Sequence, residues 1–131
     1  MPTILMAALF ASSASAVAGV VAIVNKENTS ADKNTIIRLY SVEDKFWSDG
    51  SLAKLYDQSG ESPREAFYKT YTGKSAADMR STWAKAVFTG HATLPKKLDS
   101  DAEVKNEVAK DKNAVGYVDE SSVDGSVRAV Q

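Results

Sequence analysis

From Val20 onward the chain alternates between short apolar blocks of strand character and segments whose apolar residues recur at helical spacing. Val20-Val21-Ala22-Ile23-Val24 is an unbroken, mostly β-branched run and predicts a buried strand. Asn28-Thr29-Ser30 then offers cap residues to a helix over 31–40, with Ile36, Ile37, Leu39 and Tyr40 as its apolar face. Leu52, Lys54 and Tyr56 with their neighbours predict a second strand, followed by a polar loop, Asp57-Gln58-Ser59-Gly60-Glu61. Ser62-Pro63-Arg64-Glu65 has the form of a capping box, so a helix should run from there to about Thr72 and stop at Gly73. Ser75-Ala76-Ala77-Asp78 opens another helix, through Trp83 towards Val87, ended by Phe88-Thr89-Gly90.

Past a loop at Pro95, Ser100-Asp101-Ala102-Glu103 starts a helix to about Lys110, with Val104 and Val108 on its buried side. Ala114-Val115-Gly116-Tyr117-Val118 reads as a buried strand and Ser126-Val127-Arg128-Ala129-Val130 as a final, more exposed one. Strands separated by helices imply a layered α/β sheet. No internal repeat, heptad, low-complexity tract or linker divides the chain, so the pattern describes one unit.

Charge separates a leader from that unit. Lys26 is the first charged residue, and all 16 basic and 17 acidic side chains lie beyond Asn25. Ile4 to Phe10 is an apolar h-region, and Ala11-Ser12-Ser13-Ala14-Ser15-Ala16 ends in a small-residue cleavage pattern. Residues 1–16 are therefore expected to be a cleaved signal peptide and 17–131 a single exported domain, although Met1-Pro2-Thr3 lacks the basic residue of an n-region. The competing reading joins Ile4 to Val24 into one membrane-spanning run; its three serines and β-branched second half argue against it.

Among 131 residues with a net charge of -1, nothing supplies the basic excess that nucleic acid or an anionic membrane surface attracts. With no cysteine, disulfides, thiolate metal sites, iron–sulfur clusters and thiol nucleophiles are excluded. His91 is the sole histidine and reads as an exposed loop residue, with no nucleophile or further metal ligand beside it. Asp99 with Asp101, and Asp119 with Glu120, sit at turns and read as solvated caps. Trp47, Trp83, Phe67, Tyr68, Tyr71 and Phe88 read as core rather than as a stacking platform. Walker, dinucleotide, nucleophile-elbow and zincin patterns are absent, so no cofactor, metal or catalytic residue is expected.

An ordered series of motifs adds a resemblance. Trp47-x-Asp49-Gly50, Ser62-Pro63-Arg64-Glu65-Ala66-Phe67, Trp83, Phe88-Thr89-Gly90, Pro95, Ser100-Asp101-x-Glu103-Val104, Val108 and Val115-Gly116-Tyr117-Val118 together resemble the small phosphate ABC transporter substrate-binding-protein-like family. The likeness spans nearly all of residues 20–130. It implies a three-layer α/β lobe of the periplasmic-binding-protein type with a mixed sheet flanked by helices, located in the periplasm and not catalytic. Larger members of that kind close two lobes on an anion, and this chain is too short for both.

The resemblance also implies where an anion would sit. The matching lobe of the larger proteins holds phosphate with an arginine and a Ser-Gly-Thr triplet at a helix N-terminus, where free N–H groups and the helix dipole converge. Anchored on Arg64-Glu65-Ala66-Phe67, the triplet falls on Glu61-Ser62-Pro63 and the arginine on Asp57. Pro63 has no N–H to give, and Asp57 and Glu61 would bring negative charge costing on the order of 1 kcal/mol each at the effective dielectric of a surface. A single helix terminus returns about 0.3–1 kcal/mol, so the phosphate site is expected to be degenerate.

Ser59 and Gly60 as a small nest, the Ser62 hydroxyl and Arg64 remain as candidate anion donors. The plainer reading gives Ser62 the helix cap and leaves Arg64 solvated, paired with Glu61. The implied function is an envelope lobe that works through contacts with other envelope proteins or with itself. The alternative is a true phosphate or oxyanion binder linked to ABC-type transport, its site completed by dimerisation or by the loop near Thr89-Gly90-His91.

Overall fold

Five strands form one mixed sheet in the order β3-β2-β4-β1-β5 in the computed structural model, which describes residues 19–131. The leader expected over residues 1–16 lies outside the described residues. The strands are β1 (Val20–Asn25), β2 (Lys54–Gln58), β3 (Lys96–Leu98), β4 (Ala114–Asp119) and β5 (Val127–Val130). The helices are α1 (Lys33–Tyr40), α2 (Glu61–Thr72), α3 (Ala76–Phe88) and α4 (Asp101–Lys110), with a short 3-10 turn at Glu120–Ser122. β2 runs parallel to both β3 and β4, while β1 is antiparallel to β4 and to β5.

Alternation along the central strands assigns the two faces. Ala22, Val24, Val115 and Tyr117 point to one side, where α1, α2 and α3 cover them with Ile36, Leu39, Tyr40, Phe67, Tyr68, Met79 and Trp83. Ile23, Ala114 and Val118 point to the other, where α4 lays down Val104 and Val108. The result is the three-layer α/β arrangement with a mixed sheet flanked by helices. Gly116 allows α4 to come close: a Cβ there would stand 2.5 Å from Val104 Cγ1.

Local chemistry accounts for the helix ends. Asp32, Ser75 and Ser100 cap α1, α3 and α4 by accepting from the N–H groups of Thr35, Asp78 and Glu103. Gly73 ends α2 in the left-handed region at φ 75°. The start of α2 differs from the expected capping box. Gly60, not Ser62, is the cap residue, and the Glu65 carboxylate accepts from the Ala76 N–H at 2.8 Å, so it serves α3 instead of its own helix.

Two further expectations change. Asp57 and Gln58 belong to β2 instead of a loop, because neighbouring side chains and main chain satisfy their polar groups inside the protein. Lys96–Leu98 adds a short parallel edge strand where a loop was expected. Trp47 and Trp83 are buried as core, each indole N–H bonded to a carbonyl, of Asn113 and Tyr40 respectively. Phe88 is the exception: 91% exposed, it stands off the core at the end of α3. No helix of the described residues is long and apolar enough to cross a membrane.

Candidate functional site

The carboxyl ends of the parallel strands bring the loop chemistry to one end of the sheet, the usual place for a site in an open α/β fold. β2 leads through Ser59-Gly60 into α2, β3 leads through Asp99-Ser100 into α4, and β4 leads into the 3-10 turn. β1 enters at this end, because it runs antiparallel to β4 and the Glu120 N–H donates to the Gly19 carbonyl at 3.0 Å. A cleft of about 390 Å³ lies there, bounded by Gly19, Val20, Ser62, Pro63, Ala66, Asp101 and Asp119.

Two carboxylates wall this cleft. Asp101 is held from three directions: Gln58 Nε2 donates to Oδ1 at 2.8 Å, and the Asp119 N–H and Ser122 hydroxyl donate to Oδ2 at 3.1 and 2.8 Å. Asp119 accepts from the Ser121 hydroxyl and N–H at 2.7 and 2.9 Å, and these bonds keep its carboxyl below the usual aspartate range. Opposite them, α2 begins without a side-chain cap. Glu61 and Ser62 carry N–H groups in its first turn, but Pro63 has none.

Behind the cleft lies a buried polar cluster. Asp57 is 4% exposed, and its carboxylate accepts from the Tyr68 hydroxyl at 3.0 Å, from the Tyr117 hydroxyl and from the Gln58 N–H at 2.9 Å. Arg64 Nε stands 3.4 Å from Asp57 Oδ1, although its N–H is aligned on no acceptor, so the contact is one of charge rather than a hydrogen bond. Burial, and after it the Asp57 charge, pushes the Tyr68 and Tyr117 phenols far above the usual tyrosine range.

The expected donors are therefore distributed differently from the sequence reading. Arg64 is buried and paired with Asp57, while the exposed Glu61 contacts Arg80 at 3.7 Å. Asp57 faces inward and lends no charge to the cleft surface. Ser59 donates its hydroxyl to Asp99 at 2.8 Å. Gly60, at φ -69° and ψ 132°, is an extended cap without the left-handed residue of an anion nest. Ser62 is exposed and reaches the cleft. Gly90 lines a separate groove beside Lys54 at the amino end of β2, so the Thr89-Gly90-His91 loop is not part of this cleft; His91 is exposed and contacts the Thr89 hydroxyl at 2.8 Å.

Asp101 and Asp119, which sequence reasoning assigned to turn caps, and the tyrosines at Asp57, which it placed in the apolar core, are the residues it missed. One signal was available for Arg64: with Phe67, Tyr68 and Tyr71 it makes an i, i+3, i+4, i+7 stripe, the buried face of α2. Among the described residues no group of three or more His, Cys, Asp or Glu side chains is placed to hold a metal ion.

No protein-family model matches the chain, and no curated protein does. Solved structures do. The fold is similar to an ABC-type phosphate transport receptor from Vibrio cholerae, at TM-score 0.64 and 18% identity, covering 87% of this chain and 46% of that one. It is similar to a putative phosphate ABC transporter substrate-binding protein with bound phosphate from Clostridium perfringens, at TM-score 0.65 and 21% identity, covering 87% and 44%. A possible phosphate binding protein from Planctomyces limnophilus gives TM-score 0.61 and 15% identity, covering 87% and 41%. The chain spans less than half the length of each, and the shared fold is a single lobe of the periplasmic-binding-protein type. All three are described as receptors or binding proteins, none as an enzyme.

Proposed function

We propose that this chain is an exported, non-catalytic substrate-binding-protein-like lobe, residues 17–131 after loss of residues 1–16, that acts through contacts with other envelope proteins or with a second copy. In this reading it works in the periplasm and its ancestral phosphate site is degenerate. The observation that carries the reading is the charge at the cleft: Arg64 is engaged by Asp57, and the walls facing the α2 terminus are Asp101 and Asp119. An oxyanion there would meet two carboxylates, each costing on the order of 1 kcal/mol, against about 0.3–1 kcal/mol from the helix terminus. The acidic edge is left free to meet a partner.

Calorimetry and thermal melting with inorganic phosphate test the loss of the anion site. No heat and no shift in melting temperature at millimolar phosphate are expected, since a ligand bound only by the folded state must raise it. Affinity capture from envelope extract, comparing wild type with Asp101→Lys and Asp119→Lys, tests the interface. A monomer at all concentrations with no partner lost on charge reversal sinks the reading.

One observation favours the alternative of a phosphate or oxyanion binder linked to ABC-type transport: among the four α-helices of the described residues, α2 alone lacks a side-chain cap. In that case the Glu61 and Ser62 N–H groups and the Ser62 hydroxyl would be the donors, with Ser59, Gly60 and Arg64 supporting them and a second copy completing the site. Saturable heat with phosphate, lost in Ser62→Glu, would replace the first reading by this one.

A further inference from the structure

Helix α3 is apolar on two sides. Ala76, Met79 and Trp83 turn inward to the core, while the opposite face carries Ala77, Ser81, Ala84 and Phe88, all of them exposed. Phe88 is 91% exposed and Val87 beside it 39%. A phenylalanine held that far out adds nothing to the stability of the monomer, whereas covering it removes a large apolar area from water. The four outer residues recur at intervals of four, three and four, the seam spacing of two helices packed side by side. Ser81, the polar member of the seam, donates its hydroxyl to the Ala77 carbonyl at 3.4 Å within its own helix, so the face can be covered without stranding that donor.

The charges beside the seam say what covers it. Asp78 and Lys85 flank it on one side, both exposed and neither in an ion pair among the described residues. Arg80 flanks it on the other side and is held by Glu61 at 3.7 Å. When two copies of this helix pack antiparallel about a twofold axis, Ala77 of one lies opposite Phe88 of the other, and Ser81 opposite Ala84. That register sets Asp78 beside Lys85 of the second copy, and the symmetry makes the pair twice. Parallel packing would set Arg80 against Lys85 of the second copy, charge against like charge. The face is therefore complementary to itself in one orientation.

We infer that the outer face of α3 is a self-association surface, on which a second copy of this chain packs antiparallel with Phe88 over Ala77 and two Asp78–Lys85 ion pairs between the copies. On the second flank, Val87 lies against the aliphatic stem of Arg80 of the other copy. The 13 residues of α3 make a helix about 20 Å long. A contact confined to it is smaller than the roughly 1,200–2,000 Å² of standard interfaces, so the dimer is weak and reversible. This surface is separate from the acidic cleft, and the inference goes beyond the function proposed above.

Sedimentation equilibrium of the intact protein over a wide range of concentration tests the inference. Wild type should show a reversible monomer–dimer equilibrium. Phe88→Ser should weaken it roughly tenfold or more and keep the melting temperature of the monomer, because the ring lies outside the core. Asp78→Lys and Lys85→Asp should each weaken it too, since each homodimer then opposes like charges. An equimolar mixture of those two variants should associate again, because the heterodimer restores both ion pairs, and added salt should loosen it. Such a recovery could not come from a folding defect in either variant. The inference is overturned by a monomer at every concentration, by association insensitive to Phe88→Ser, or by charge variants whose mixture stays dissociated. A monomer that still loses an envelope partner on Asp101→Lys overturns this inference alone. A dimer with these properties that also gives saturable heat with phosphate keeps it and replaces the reading of the cleft.

Discussion

Arg64 and Asp57 meet inside the protein, with Nε 3.4 Å from Oδ1 and side chains only 8% and 6% exposed. The pair joins the first turn of α2 to the end of β2, and the cost of removing one partner depends on what else holds the other. Asp57→Ala should cost about 3–5 kcal/mol, because a buried guanidinium loses its counter-charge while Tyr68 and Tyr117 lose their acceptor. Arg64→Met should cost less, since those two hydroxyls and the Gln58 N–H still satisfy the carboxylate. Urea denaturation of the two variants checks the order; an Arg64→Met variant as unstable as Asp57→Ala would show that the tyrosines do not hold the carboxylate.

The tyrosine cluster predicts an alkaline limit. Burial raises the Tyr40, Tyr68 and Tyr117 phenols well above their unfolded value, and the Asp57 charge adds to the shift in each. The unfolded chain then loses these protons first, near pH 10, while the folded chain keeps them. Their contribution to stability is complete below about pH 10 and is lost as the pH rises beyond it, at about 1.4 kcal/mol per pH unit for each tyrosine. Denaturation midpoints measured at rising alkaline pH should fall steeply, and Tyr117→Phe should remove one tyrosine's share of the slope. An unchanged slope would count against the assignment.

Gly116 under α4 gives a packing test. Gly116→Ala should destabilise by about 1–3 kcal/mol, because its Cβ would stand 2.5 Å from Val104 Cγ1. Val104→Ala clears that space, so the double variant should be more stable than the sum of the single effects predicts. Thermal or urea unfolding of all four proteins measures the coupling, and simple additivity would mean that α4 shifts as a body to admit the methyl.

Tyr71 secures the β5 edge. Its hydroxyl accepts from the Ala22 N–H at 2.9 Å and donates to the Val130 carbonyl at 2.8 Å, across residues that are partners in the β1–β5 register. Tyr71→Phe should cost about 1–3 kcal/mol by leaving the buried Ala22 N–H without an acceptor. Amide exchange at Ala22 and along β5 should quicken in the variant while β2 and β4 stay protected.

Periodicity made most of the fold legible. Apolar runs predicted β1 and β4, and cap residues placed α1, α3 and α4 to within two residues. β3 was not visible, because Lys96–Leu98 is three residues of edge strand held by pairing with β2, a tertiary contact with no local pattern. The candidate site was legible as a place but not as chemistry. The resemblance put Asp57 near an anion and the plainer reading left Arg64 in solvent, whereas β2 turns Asp57 inward and the α2 stripe carries Arg64 to meet it. Asp101 and Asp119 are 18 residues apart and become neighbours only because α4 starts and β4 ends at the same end of the sheet.

Because β5 runs antiparallel to β1, Gln131 lies beside the start of β1, and its side-chain amide contacts Glu120, whose own N–H bonds to Gly19. A linker coupled to Gln131 would stand beside the acidic cleft. Immobilisation through that linker would hold the cleft towards the surface and leave the groove lined by Leu52 and Leu94, at the far end of β2, turned outwards. Surface-based measurements on the cleft therefore require anchoring through the opposite pole of the molecule.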